Sequence, residues 1–410
     1  MSALSRYVRG FPRSVYLVAA GRFFDQFGSG VVYPFATVYF HLVVGIPLSV
    51  VGVGLLANNL GLAAGTVVGG YTADRYGRKP VMVASMGLSA PTLAAYALVT
   101  TGPAFILVSA IAGLTLGLYG PAGQAYIAEI VESADRDRAF ALLKVARNAG
   151  FGTGFVAGGL LYAVQHVLVF VLDGLTAGLF ALVLVAFLPR VHGGTRDVRL
   201  RESVSAWGRA ITRRRIVALA VLNLLFATLY VQMQATVPVV ATEMLGLSSA
   251  ALGTLYVINP VVVVLFQLPL ADYAARWRRT RTLVLSAGFW AISYVAVFLA
   301  ANGGLAARLG VGLVGAFLFL RTIGEILHSP FMTALGSGIA PKIERGSQLS
   351  LIEVAMRVGQ GVGAFVGGLF FDAGAQRYLW PTLILVAALL AGGLLVFEQS
   401  VSPEENGASQ

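Results

Sequence analysis

Apolar runs of about 20 to 28 residues, each long enough to cross a bilayer as a helix, recur along nearly the whole 410-residue chain with short polar stretches between them. In lipid such segments must satisfy their backbone hydrogen bonds internally, so only helices or closed barrels are open to them. The runs are continuously apolar rather than alternating with a period of two, which excludes a β-barrel. Only 11% of the side chains are charged and 57% are hydrophobic, where a soluble domain carries roughly 25% charged residues. The fold class that follows is an all-α, polytopic membrane protein.

The spacing predicts twelve transmembrane helices, near 14–41, 47–71, 80–100, 103–128, 139–163, 166–189, 215–243, 248–271, 282–301, 309–333, 347–371 and 378–397. With the N-terminus inside, the cytoplasmic stretches hold 22 Lys and Arg residues and the outer loops only Arg308 and Arg377. That asymmetry puts both termini in the cytoplasm of a multi-pass protein of the cell membrane. It also accounts for the net charge of +11 without a nucleic-acid partner. No separate short apolar segment with a cleavage site precedes the first span, which is therefore expected to direct insertion itself.

The longest polar stretch divides the chain into an N-terminal six-helix bundle (1–189), a basic cytoplasmic linker (190–214) and a C-terminal six-helix bundle with a short polar tail (215–410). Self-comparison at an offset near 210 supports duplication. Arg147-Asn-Ala-Gly-Phe-Gly-Thr-Gly-Phe-Val-Ala-Gly-Gly-Leu in span 5 is echoed by Arg357-Val-Gly-Gln-Gly-Val-Gly-Ala-Phe-Val-Gly-Gly-Leu in span 11. Parallel six-helix repeats imply two pseudo-symmetric halves with a binding site between them.

Between spans 2 and 3, Gly70-Tyr-Thr-Ala-Asp74-Arg75-Tyr-Gly77-Arg78-Lys79 fills every specified position of G-x-x-x-D-R-x-G-R-K. It resembles the signature loop of the major facilitator superfamily, and the resemblance extends to helix count, orientation and duplication. By that resemblance the loop is a conformational latch, with Arg78 free to pair with a carboxylate at the inner end of span 4, Glu129 or Glu132. The competing reading is a static loop with ordinary ion pairs.

Span 5 carries Gly150-x-x-x-Gly154-Phe155-x-x-Gly158-Gly159, similar to the family's antiporter motif with Phe155 in place of its proline. Small-x-x-x-small spacing is equally a general device for close helix packing. Gly324-Glu325-Ile-Leu-His328-Ser-Pro330 in span 10, followed by Ala340-Pro341 and Arg345-Gly346, and the opening Arg22-Phe-Phe-Asp25-Gln-Phe-Gly with Pro34, resemble the drug/proton antiporter (multidrug efflux) branch. One departure is that span 4 has no Arg or Lys, so coupling through a basic residue there is not available.

Ionisable residues inside a membrane are costly, which makes them functional candidates. Arg321, Glu325 and His328 share one stripe of span 10; an Arg followed by a Glu four residues on stabilises a helix weakly, so pairing alone does not explain their presence. Glu325 is expected to carry protons, with Arg321, His328 and, in span 1, Asp25 beside Arg22 as the other members of the coupling set. The alternative for each is a structural ion pair. Lys144, Arg147, Glu353 and Arg357 are expected to snorkel toward the cytoplasmic side, and Asp173 to reach the headgroups.

Arg22, Phe24, Tyr33, Tyr119, Gln124, Tyr230, Gln232, Tyr256 and Phe319 form a candidate substrate cavity for flat or cationic molecules, although such residues also serve as core or helix bridges. The chain has no Cys, and its four His are scattered, so neither a metal nor a cofactor is expected. Gly310-x-Gly312-x-x-Gly315 matches a dinucleotide fingerprint but sits in a membrane span with no strand before it. The function expected is a monomeric secondary transporter, not an enzyme, working by alternating access: a proton-coupled antiporter that exports amphipathic or cationic small molecules. The alternatives are a proton-coupled transporter of a specific metabolite, peptide or lipid, and a transport-dead receptor or membrane enzyme on the same scaffold.

Overall fold

A computed structural model describes residues 10–132, 135–190, 208, 210–302, 307–341 and 345–407. Most of the linker expected at 190–214 lies outside the described residues, as do Arg6, Arg9 and Lys342. The described residues form helices and turns with no strand. The long helices are α1 (Arg13–Val32), α2 (Leu48–Tyr76), α3 (Arg78–Leu98), α4 (Gly102–Ile130), α5 (Arg136–Val164), α6 (Leu168–Phe187), α7 (Arg214–Met244), α8 (Ser249–Ala274), α9 (Arg279–Asn302), α10 (Arg308–Ile339), α11 (Gly346–Asp372) and α12 (Gln376–Glu398). Ten of them are long and apolar enough to cross a membrane. The others are α1, with Arg13, Arg22 and Asp25, and α5, with Arg136, Asp137, Arg138, Lys144 and Arg147. Their charges set them apart.

The contacts divide the chain into two compact units. Unit 1 comprises Met1–Tyr39, Ala57–Val198 and Ser249–Pro260; unit 2 comprises Phe40–Leu56, Arg199–Ser248 and Val261–Gln410. The first part of α2 thus packs within unit 2, and the first part of α8 within unit 1. One turn is repeated between the halves of the chain. A π-helical segment at Tyr39–Val43 ends in Gly45 at φ 82°, and one at Val240–Met244 ends in Gly246 at φ 66°. In both, the next N–H reaches back six residues, from Ile46 to the Phe40 carbonyl and from Leu247 to the Ala241 carbonyl, each at 2.9 Å. That is a left-handed helix stop, and it recurs in the second half of the chain.

Within unit 1, small residues set the helix spacing. In lipid no hydrophobic force drives helix against helix, so association rests on van der Waals packing and close backbone approach. A side chain at Gly150, Gly154 or Gly158 of α5 would collide with the carbonyl oxygens of Phe23, Phe27 and Val31 on and beside one face of α1. Gly61, Gly65 and Gly69 of α2 meet the backbone of α4 in the same way, and Gly159 meets the start of α8 at Ser249. Phe155, where the motif's proline would stand, is fully buried against Phe151, at 4.6 Å between ring centroids, and Tyr256, at 5.7 Å. Elsewhere in unit 1, Val15 and Val18 of α1, Met82 and Met86 of α3, Tyr126 and Ile127 of α4, and Phe180 and Leu184 of α6 form one buried cluster.

Within unit 2, the chain's tail closes a helix end. The first N–H groups of α9 have no partner inside the helix. Arg279 N–H donates to the Asn406 carbonyl at 2.9 Å, Thr280 N–H to Asn406 Oδ1 at 3.0 Å, and Asn406 Nδ2 to Thr280 Oγ1 at 3.0 Å. Glu398 adds a carboxylate there, bound to Arg278 and Arg281 at 2.8 Å each, which the positive end of the helix dipole favours. Glu405 anchors the tail: it accepts from Arg215 at 2.5 Å and from the Ser402 N–H at 2.9 Å.

Burial alone would raise the Glu405 pKa, but the Ser402 N–H and the Arg215 guanidinium hold its charged form and bring it below the ordinary glutamate value. A carboxylate of lowered pKa stabilises the fold fully above its unfolded value, roughly 4.3, and loses that contribution as pH falls through the folded one. Tail docking is therefore expected to be unchanged from pH 8 to about 5 and to weaken below about 4. Glu405→Gln is expected to loosen it at every pH. Hydrogen exchange at the amides of Arg279 and Thr280 reads this directly; protection in the variant equal to wild type at pH 7 would show the ion pair to be idle.

Candidate functional site

The signature loop is a brace inside unit 1. Gly77 turns the chain from α2 to α3 at φ 92°, a backbone conformation that side-chain-bearing residues rarely adopt; the space there is open, with Pro80 Cδ 3.8 Å from a built Cβ, so conformation rather than crowding requires the glycine. Gly70, by contrast, would meet only Pro121 at 3.9 Å. Arg78 is buried and forks between Asp74 at 2.5 Å and Glu129 Oε1 at 3.0 Å. It thereby ties the end of α2, the start of α3 and the end of α4 together, and of the two carboxylates in view at span 4, Glu129 is the partner. Lys79 donates to the carbonyls of Val185 and Leu188 at the C-terminal end of α6, the end a cation favours. Arg75 stays exposed, bonded to Tyr71 Oη at 3.0 Å.

In unit 2, Glu325 is the centre of a second cluster. Arg321, 1% exposed, donates to Glu325 Oε2 at 2.6 Å, and the Tyr230 hydroxyl of α7 donates to Oε1 at 3.2 Å. The guanidinium of Arg321 lies 4.3 Å above the Tyr230 ring. Trp290 of α9 donates from Nε1 to the Arg321 carbonyl at 2.8 Å. The Glu325 side chain keeps 24% of its surface open, so one carboxylate in the middle of an apolar helix is both held by a cation and partly accessible. His328 is placed differently. Its Nε2 lies 2.9 Å from Asn223 Oδ1, and its ring packs on Phe226 at 4.3 Å and on Trp290 at 5.8 Å. It is buried among aromatic rings, with Asn223 at its Nε2.

In unit 1, Asp25 is buried, accepting from Arg22 at 2.9 Å and Gln26 Nε2 at 3.1 Å. The Arg22 guanidinium stacks 4.7 Å from the centre of the Tyr119 ring. Asp173 lies beside Gly28 and is 5% exposed, which places it in the α1–α6 interface instead of at the headgroups expected for it. A cavity of about 250 Å³ opens between Arg22 of α1, Tyr119, Gly120, Gly123 and Gln124 of α4, and Phe140, Leu143, Lys144 and Arg147 of α5. Three of the expected cavity residues, Arg22, Tyr119 and Gln124, meet here.

The other expected cavity residues lie elsewhere. Tyr33 packs on Phe151 at 5.2 Å and Phe24 on Phe23 at 5.4 Å. Phe319 stands edge-on to Phe266 at 6.2 Å. Tyr256 is fully buried against Phe155. Gln232, with no exposed surface, donates to the carbonyls of Thr228 and Gly363 and accepts from Thr236; its amide is spent in joining α7 to α11. Lys144 and Arg147, expected only to snorkel, are the cavity residues sequence reasoning passed over. The signal was available: Phe140, Leu143, Lys144 and Arg147 fall on one helical stripe, with an arginine roughly 16 Å into the helix.

Among the described residues no group of His, Asp and Glu is placed to hold a metal ion. The family model described as Major Facilitator Superfamily matches residues 17–356 and 233–409. The chain is 24% identical over 398 residues to the uncharacterized MFS-type transporter YttB of Bacillus subtilis (strain 168), covering 95% of this chain and 96% of that protein. It is 28% identical to the multidrug resistance protein MdtH of Cronobacter sakazakii (strain ATCC BAA-894), covering 85% of this chain and 84% of that one. In fold it is similar to a mutant form of the nucleoside transporter NupG, with a TM-score of 0.81 at 14% identity over 94% of this chain and all of the other. A POT family transporter in complex with 5-aminolevulinic acid gives 0.80 at 13% identity, covering 96% of this chain and 97% of its own.

Proposed function

The chain belongs to the major facilitator superfamily, and from that premise we propose that it is a proton-coupled antiporter exporting amphipathic small molecules, cationic ones among them, by alternating access. In this reading all the long helices span the cell membrane, twelve in number, with both termini cytoplasmic and the protein acting as a monomer. The two six-helix halves are the moving parts, the Gly70–Lys79 loop with Glu129 is their latch, and Glu325 with Arg321 carries the proton. A transporter of this kind is not an enzyme, and no catalytic step is assigned to it.

The observation that carries the reading is Glu325, a partly open carboxylate held at 2.6 Å by a buried arginine within a membrane helix. Its protonation would release Arg321, and a bound cation would compete with the proton for the same oxygens. Likeness to multidrug resistance proteins along most of the chain supports export of varied amphipathic compounds. The test is uptake of a fluorescent lipophilic cation by proteoliposomes under an imposed pH gradient. Accumulation that collapses when the gradient is dissipated is expected; no uptake at any gradient removes the multidrug reading.

A second reading, a proton-coupled transporter of a defined metabolite, peptide or lipid, is favoured by one feature, the strongly cationic lining of the unit 1 cavity. A panel of acidic metabolites in the same vesicles separates the two.

A further inference from the structure

The nine residues lining the unit 1 cavity include three cations, Arg22, Lys144 and Arg147, and no acid. Arg22 is partly answered by Asp25 at 2.9 Å; Lys144 and Arg147 lie on the exposed face of α5. Charge at membrane depth is tolerated where it faces protein or water, so these two face the cavity rather than lipid. Tyr119 adds an independent observation. Its side chain is 95% buried, being 5% exposed, and its hydroxyl makes no hydrogen bond among the described residues. A buried hydroxyl without a partner is unusual enough to require one. Gly123, one turn along α4, leaves room for the ring, since a side chain there would meet Tyr119 Cε1 at 2.8 Å. Beside the charges, Phe140 and Leu143 supply an apolar wall.

We propose that this cavity is an anion-binding site for the acidic head of an amphipathic molecule, a carboxylate or phosphate, held by Arg22, Lys144 and Arg147 with Tyr119 donating its free hydroxyl, and with the tail against Phe140 and Leu143. Charge-assisted donors of this kind match carboxylate and phosphate oxygens. The site deepens the transport reading by adding acidic and zwitterionic amphiphiles to the substrates, and it rests on that reading only for its role; binding itself does not require transport. A free amphipathic acid and an anionic lipid headgroup share this chemistry.

The experiment uses the full chain in phosphatidylcholine nanodiscs and a dansyl-labelled undecanoic acid, with its uncharged amide as control and empty nanodiscs as background. Saturable binding of the acid is expected, weakened at least about tenfold in K144Q/R147Q, with the amide unaffected. K144R/R147K, which keeps the charge, is expected to bind like wild type. Y119F is expected to bind the acid several-fold more weakly without losing thermal stability, because the hydroxyl it removes supports nothing in the unliganded protein. Replacing part of the lipid by phosphatidylglycerol distinguishes the sources: competition that depends on Lys144 and Arg147 assigns the site to a lipid headgroup, and no competition assigns it to a free acid.

Equal binding of acid and amide, or undiminished acid binding by K144Q/R147Q, overturns the proposal. If that variant melts early, Y119F and K144R/R147K decide: wild-type affinity in Y119F together with loss in K144R/R147K also overturns it. Failure here leaves cation uptake in liposomes untouched, and failure of that uptake leaves this binding measurable.

Discussion

Glu325→Gln is expected to abolish pH-gradient-driven accumulation, down to the level of protein-free liposomes, while substrate exchange between the two sides of the membrane persists. The amide is nearly the same size; its single oxygen can still accept from Arg321, which reaches Oε2 at 2.6 Å, while its NH2, standing where Oε1 accepts from Tyr230 at 3.2 Å, can donate to that hydroxyl's oxygen. What it cannot do is gain or lose a proton in the working pH range. Removing one partner of a buried ion pair altogether costs about 3 to 5 kcal/mol. Retaining the acceptor and the cation–π contact of Arg321 over Tyr230 at 4.3 Å keeps the loss in the variant well below that. Counterflow and melting temperature, measured beside gradient-driven uptake, separate lost coupling from lost folding. Retained gradient drive in E325Q transfers the coupling role to another carboxylate, Asp25 first.

Arg78→Ala is expected to damage folding and transport together. It leaves Asp74 and Glu129, 30% and 26% exposed, facing each other without their shared donor. Stability should fall by about 1 to 3 kcal/mol, the cost of unpaired, partly buried charged groups. Arg78→Lys should recover only part of this, since an ammonium is a point charge and lacks the planar fork that reaches two carboxylates at once. Arg75→Ala, in the same motif, removes an exposed side chain bonded through Tyr71 and stacked on Tyr76, and should stay within about 0.5 kcal/mol of wild type. Thermal unfolding in detergent checks all three. Equal destabilisation by R75A and R78A would contradict the brace described for unit 1.

Local rules made much of this legible in the sequence. The apolar runs mark the helices because a bilayer leaves no other way to satisfy the backbone. The i, i+4 spacing of Arg321 and Glu325 brings the two together on one helix, and the loop motif brings Arg78 to a carboxylate of span 4. Gly150, Gly154 and Gly158 look the same on paper whether they mark an antiporter or a packing seam; in the folded chain all three press on α1. What depends on which helices become neighbours was not legible. Nothing in the sequence near Glu325 points to Tyr230, 95 positions away. Nor does span 5 reveal that Arg147 shares a cavity with Arg22.

The same limit applies to polar residues that the fold consumes. Gln232 reads as a substrate ligand until Thr228, Gly363 and Thr236 use its amide. His328 reads as a member of a proton stripe until Phe226, Trp290 and Asn223 enclose it. In both cases helical periodicity gives the correct face, and only the neighbouring helices decide whether that face meets water. The tail is the converse case: Asn406 is an ordinary residue in a polar terminus, yet it caps α9.

Proton movement evoked by substrate is the immediate signature of proton-coupled antiport. Proteoliposomes holding a pH-sensitive dye, with no gradient imposed, are given an inward step of lipophilic cation. An opposing proton flux is expected in wild type, proportional to substrate taken up and absent in E325Q. Substrate uptake in wild type with no accompanying proton flux would contradict proton-coupled antiport.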